Sequence, residues 1–286
     1  MSPNTSYRQV HPSLPFECVE SSWDLAVTTW EQLKAARRGF PVVIGNEESI
    51  EELVAFFHDD SRTVEEILAV AATLQHPESL HAELVRQNRA AKSGAEYIRK
   101  TSMTAPPGWR RWVTTWAAKR AVSGVLQTIP PIPDEPELPP IGQWPDEPFP
   151  EDESVPHLSG AFHHKHSGGA PEKVYIALVP TEDWTTVPAH FRWGAFQACP
   201  APEFHVAALR SWRDRFGAVL VAISSGRLAA LDLRVSRAPQ SREEALNLAR
   251  EHYLYCAETA GEGIWTLSNL AANLLGKPWW HFVWDL

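Results

Sequence analysis

Apolar and polar residues alternate along the first hundred positions in two rhythms, one short and extended, one helical. Phe16-Glu17-Cys18-Val19 reads as a short strand. Ser21 and Asp24 follow with capping-box-like spacing, and Trp23, Val27, Trp30 and Leu33 recur at helical intervals until Arg37-Arg38-Gly39 stops them. Phe40 to Gly45 is a continuous apolar run and predicts a strand. Ser49 and Glu52 form a second capping box ahead of Leu53, Phe56 and Phe57. Thr63 and Glu66 open a third helix through Leu74, and Pro77 stands near the start of a fourth, through Leu84 toward Tyr97. Beyond the break at Pro106-Pro107-Gly108, Trp109, Trp112 and Trp116 share a helical face flanked by Arg110, Arg111 and Lys119. Such a stripe is expected to be buried, although a basic, Trp-rich helix also suits an anionic surface or a partner.

The last third has a different order. Val174 to Val179 predicts a strand, Trp193-Gly194 sits in a turn-rich stretch ending at Cys199-Pro200, and a helix follows from Pro202 to Phe216. Ala218–Ile223 and Leu228–Val235 read as two strands joined by Ser224-Ser225-Gly226-Arg227, a hairpin signal. Ser241 and Glu244 cap a helix to Cys256, a further helix runs from Thr266 to Leu275 before Gly276 and Pro278, and Trp279 to Trp284 closes as a strand. The pattern β-α-β-β-α-α-β predicts an α+β fold, with helices packed on a mainly antiparallel sheet and a mixed α/β region in front.

Composition sharpens the division. The chain has 286 residues and a net charge of -9. Residues 128–172 hold nine acids against Lys165 alone, and ten prolines fall between Pro130 and Pro156. Proline removes backbone donors, so this stretch is expected to be a strap or a tether, with Trp144 and Phe149 favouring the strap. The expected organisation is a helix-rich region over 1–127, a linker over 128–171, and an α+β domain over 172–286 that folds alone. Within the first region, Arg86 to Arg120 carries nine bases and one acid. A basic run can grip phosphates, but in an acidic chain it is expected to face the acidic segments, so nucleic acid is not an expected partner. No apolar run approaches the ~20 residues of a membrane span. No basic patch leads into an apolar stretch at the start, and three cysteines without a CxxC pair form no disulfide framework, so a cytoplasmic location is expected.

Candidate chemistry is sparse. His163, His164 and His166, with His157 nearby, are metal-ligand types, yet adjacent histidines point apart in a Gly-rich context, so a solvated loop is expected and no metal or other cofactor. Cys199 lies before a helix and six residues from His205, a pairing that can activate a thiol. His205 also shares a helical face with Leu209, Trp212 and Phe216, which makes it a core histidine instead. Asp232 and Arg234 alternate along an apolar strand, as an ion pair or as an anchor for an anionic ligand group. No GxSxG, Walker, GxGxxG or HExxH motif occurs.

Residues 172–286 carry a familiar series: Val187-Pro188, Trp193-Gly194, Cys199-Pro200, His205 to Arg210, Trp212, Phe216-Gly217-Ala218, Leu231 to Val235, Arg242-Glu243-Glu244 and Trp279-Trp280. This series resembles the bacterial domain of unknown function family 4253. The resemblance implies no catalytic residues; by analogy it suggests an accessory or immunity protein of a toxin system. Thirteen tryptophans and a lopsided charge map point to a non-enzymatic protein-interaction module, with Trp193, Arg210, Arg234 and Trp284 as contact residues and an unidentified protein as partner. The alternative is an enzyme or small-ligand binder with a pocket near Trp193, Cys199, His205 and Arg234.

Overall fold

Six apolar residues in a row need cover on both faces and pairing on both edges, which only the interior of a sheet supplies. The computed structural model describes residues 7–102, 133–146, 158, 171–225, 228–260 and 266–285. Before the Pro-rich segment come β1 (Tyr7–Arg8), β2 (Glu17–Ser22) and β3 (Phe40–Gly45). After it come β4 (Lys173–Val179), β5 (Ala218–Ser224), β6 (Leu228–Val235) and β7 (Trp279–Asp285). They form one sheet in the order β1-β2-β4-β3-β5-β6-β7, antiparallel throughout except for the parallel pair β3–β5. Every residue of β3 is buried.

β4 pairs with β2 on one side and β3 on the other, so strands from before and after the segment interleave. The compact units are Met1–Pro77 with Pro139–Leu286, and Glu78–Leu138.

In the first unit the helices lie on both faces. Side chains alternate along a strand. Trp280, Phe282 and Trp284 of β7 therefore share a face, which meets α6 (Pro202–Phe216) and α7 (Arg242–Tyr255): Trp212 stacks on Phe282 at 5.2 Å, and Tyr255 meets Phe282 at 4.8 Å. Arg234 of β6 points the opposite way, to Glu31 of α1 (Ala26–Ala36). α2 (Glu47–Asp59) contacts β3 and β5, while α3 (Val64–Ala71) and α5 (Val187–Phe191) pack on α6 through Ile67, Ala71, Ala189 and Val206. α5 has no periodic signal in the sequence, being five residues long with Pro188 in its first turn.

The helix starts follow side-chain chemistry. Thr63 and Glu66 form the reciprocal capping box, and Ser241 caps α7. Two expected boxes do not form. Asn46 caps α2, and Ser49 is the residue whose N–H it receives. Ser21 belongs to β2 and its hydroxyl bonds Thr29.

The Pro-rich segment is docked where described. The N–H groups of Leu267 and Ser268, at the start of α8 (Leu267–Leu274), donate to the carbonyls of Pro140 and Ile141, each at 2.9 Å. Gly142, at φ +69°, leaves no room for a Cβ against Thr266, and Arg242 lies over the Trp144 ring. Phe149 lies outside the described residues.

The second unit holds α4 (Glu78–Ser102) and the stretch that returns beside it. Lys92 meets Asp134 at 2.8 Å and His81 meets Glu135 at 3.3 Å. Asp134 is held below the usual carboxylate range by the Lys92 hydrogen bond. The Trp109–Trp112–Trp116 stripe lies outside the described residues.

Candidate functional site

Gly194 fixes the geometry around Cys199. Its φ of +124° is open only to glycine, and a Cβ there would collide with the Pro200 carbonyl oxygen and the His205 ring. The turn from Ala195 to Pro200, closed by the Ala195 N–H to the Pro200 carbonyl at 2.9 Å, thus lays Cys199 against the first turn of α6. Cys199 Sγ sits 3.4 Å from His205 Nε2, and His205 Nδ1 sits 2.5 Å from the Tyr255 hydroxyl. A hydrogen bond to the Pro200 carbonyl, which can only accept, favours a proton on the imidazole, but burial outweighs it. Trp193 and Trp284 close over the imidazole at 4.7 and 5.8 Å.

The sequence candidates Cys199 and His205 are brought together, and Tyr255, which no motif marked, completes a three-member chain. The chain is sealed. His205, Trp193 and Trp284 have no exposed surface, and Cys199 and Tyr255 are buried. Burial lowers the His205 pKa to about 3 and pushes the Cys199 thiol and Tyr255 phenol well up. A nucleophilic cysteine needs the reverse, a stabilised thiolate beside an imidazolium. Trp193 donates from Nε1 to the Ser224 carbonyl and the Ser225 hydroxyl, bracing the end of β5.

Arg234 is not part of this cluster. It lies on the opposite face of the sheet, exposed and paired with Glu31. Asp232 is buried and meets His281 at 2.8 Å. Arg210 is half-buried on α6. His164 and His166, with His157 and His163, lie outside the described residues. Among the described residues no group of three or more His, Cys, Asp or Glu is placed to hold a metal.

The open polar site is elsewhere. At one end of the sheet β2 stops, β4 starts opposite it, and β3 runs into α2, with Ser22 facing Lys173 and Gly45 facing Tyr175. A cleft of about 600 Å³ opens there, lined by Glu20, Ser22, Asn46, Glu47, Glu172 and Lys173 among others. Lys173 Nζ lies 3.0 Å from Glu47 and 3.7 Å from Glu20, Arg8 lies 2.7 Å from Glu20, and the Tyr175 hydroxyl donates to Glu47 at 2.8 Å. Burial pushes the Glu47 carboxyl up, but hydrogen bonds from Tyr175 and Lys173 outweigh it and hold it below its usual range. Hydrogen bonding to Glu47 raises Lys173, and burial raises Tyr175. These residues come from three separate strands and a helix start, so no spacing in the sequence marks them.

Residues 175–285 match the family Domain of unknown function (DUF4253). The matched segment begins inside β4 and ends on β7, so it contains the Cys199–His205–Tyr255 chain and all of α5 to α8. It leaves out β3, which lies between β4 and β5 in the sheet. No curated protein and no solved structure matches. No helix among the described residues is long and apolar enough to cross a membrane.

Proposed function

We propose that this chain is a non-enzymatic protein-interaction module whose partner contact is the cleft between Glu20, Glu47 and Lys173. One observation supports it above the rest: the resolved pKa shifts in both clusters run away from neutrality. Acid–base catalysis wants groups poised near the working pH. Here His205 and Glu47 are pushed down while Cys199, Tyr255, Tyr175 and Lys173 are pushed up, so these groups hold fixed charge or none. Fixed, half-exposed charges of both signs suit recognition of a polar protein surface more than turnover. Three free, buried cysteines fit a reducing cytoplasm, and the acidic net charge argues against nucleic acid. The finer role, an accessory or immunity protein of a bacterial toxin system, rests on analogy with small domains of similar kind.

The test places a photo-crosslinking amino acid at Glu172 in the cell of origin. The expected result is one discrete crosslinked protein, lost when Glu20→Lys and Glu47→Lys are combined in a chain that still melts cooperatively. A crosslink that survives charge reversal, or none at all, contradicts the reading. So does a Cys199 thiol that reacts with iodoacetamide with a pKa more than about one unit below the ~8.5 of free cysteine and loses that reactivity in His205→Ala.

A further inference from the structure

Two other imidazoles lie in the aromatic layer and take no part in the arrangements above. His76, in the loop after α3, meets Trp212 edge-on at 5.1 Å and Tyr255 at 6.2 Å. His252 of α7 meets Trp212 at 5.2 Å and both Trp280 and Phe282 of β7 at 4.7 Å. The Nε2 atom of each is buried without a hydrogen-bond partner. An unpaired polar atom in a core lowers stability, and phenylalanine would fill either place without that loss.

The charged groups around the pair offer a proton nothing. From α7, Glu251 Oε2 stands 3.9 Å from His76 Nε2, but both Glu251 oxygens are taken by Arg215 of α6 at 2.8 Å, and the Trp212 indole donates to Oε2 at 3.3 Å. Arg215 itself repels a charge on either ring, and the His76 imidazole repels one on His252. On this face β7 contributes Trp280, Phe282 and Trp284, none of them charged; His281 faces the other way, to Asp232. The third buried imidazole, His205, is held by Tyr255 and Cys199. Burial accordingly takes His76 to about 3 and His252 well below its usual value.

We propose that His76 and His252 form a proton-operated latch, which holds α6 and α7 against β7 when neutral and releases α7 and β7 when both rings are protonated. The unlatched or unfolded form binds protons below about pH 6.5, the ordinary imidazole value, while the latched form does not. Stability is therefore complete above that pH and falls as pH drops toward the folded values. Each proton shifts the opening constant about tenfold per pH unit. β7 is the last strand of the sheet, so it and α7 can part without breaking the β4–β3–β5 pairs.

Hydrogen exchange on the full chain, expressed as protection factors at pH 7 and pH 5, tests this. Protection in 242–255 and 279–285 is expected to fall at least tenfold, while 40–45 and 174–179 keep theirs. In the His76→Phe, His252→Phe double variant the fall is expected to be at least tenfold smaller, the remainder coming from His205, which Tyr255 of α7 and Trp284 of β7 also cover. Equal loss in both sets of segments, or no loss in 242–255, overturns the proposal from the unmodified chain alone, even if the double variant does not fold. A double variant that folds and loses as much protection as the unmodified chain overturns it as well.

Discussion

Gly194 does at one residue what the rest of its turn depends on. Its backbone conformation admits no side chain, and the space where a Cβ would lie is filled by the Pro200 carbonyl and the His205 ring. Gly194→Ala is expected to lower stability by about 2 kcal/mol or more in urea unfolding, through backbone strain and displacement of His205. Unchanged stability would mean that the turn yields and that His205 is not pinned by it. The same neighbourhood shows what a sequence can tell about a site. The helical spacing of His205, Leu209, Trp212 and Phe216 puts His205 on the buried stripe of α6, and Cys199 precedes that helix by three residues. Tyr255, fifty residues further on, reaches His205 only through the packing of α7 on α6, and local spacing carries no trace of that. The cleft is invisible for the same reason, since Glu20, Glu47 and Lys173 meet only at the ends of three different elements.

At the scale of elements, local chemistry decides most starts and stops. Thr63 and Glu66 satisfy each other's backbone groups, and Thr63→Ala is expected to cost about 1 kcal/mol in unfolding free energy. No measurable loss would show that tertiary packing of Ile67 and Ala71 alone holds α3. Where expectation and structure part, two polar residues compete for one role. Asn46 precedes Ser49 by three residues and takes the cap of α2, because the apolar run of β3 ends at Gly45 and the chain turns there. Ser21 has helix-cap spacing but continues the β2 ladder against Val174. The prolines of 130–156 exclude regular structure, as their chemistry requires, but docking depends on carbonyls: those of Pro140 and Ile141 serve as acceptors for the first free N–H groups of α8. Trp144 adds a cationic partner in Arg242.

For the whole molecule, the strand order is the feature least legible in the sequence. Each of β2 to β7 has a local signature, yet the pairs β2–β4, β3–β4 and β3–β5 join strands more than a hundred residues apart. One sign of the order is present: β3 is apolar at every position, which calls for an interior strand with partners on both edges. Those partners are β4 and β5, both supplied by the segment that matches DUF4253. It follows that residues 172–286, although they carry the whole family match, lack the strand that joins β4 to the β5–β7 sheet, and a β4 cut from β2 and β3 keeps no ladder. The measurement that bears most directly on this is a thermal melt of the isolated fragment 172–286, followed by near-ultraviolet circular dichroism beside the full chain. The full chain is expected to melt cooperatively and the fragment to show neither a cooperative transition nor the fixed aromatic signal of the Trp212–Phe282 layer. A fragment that melts cooperatively with that aromatic signal intact would contradict the single interleaved sheet.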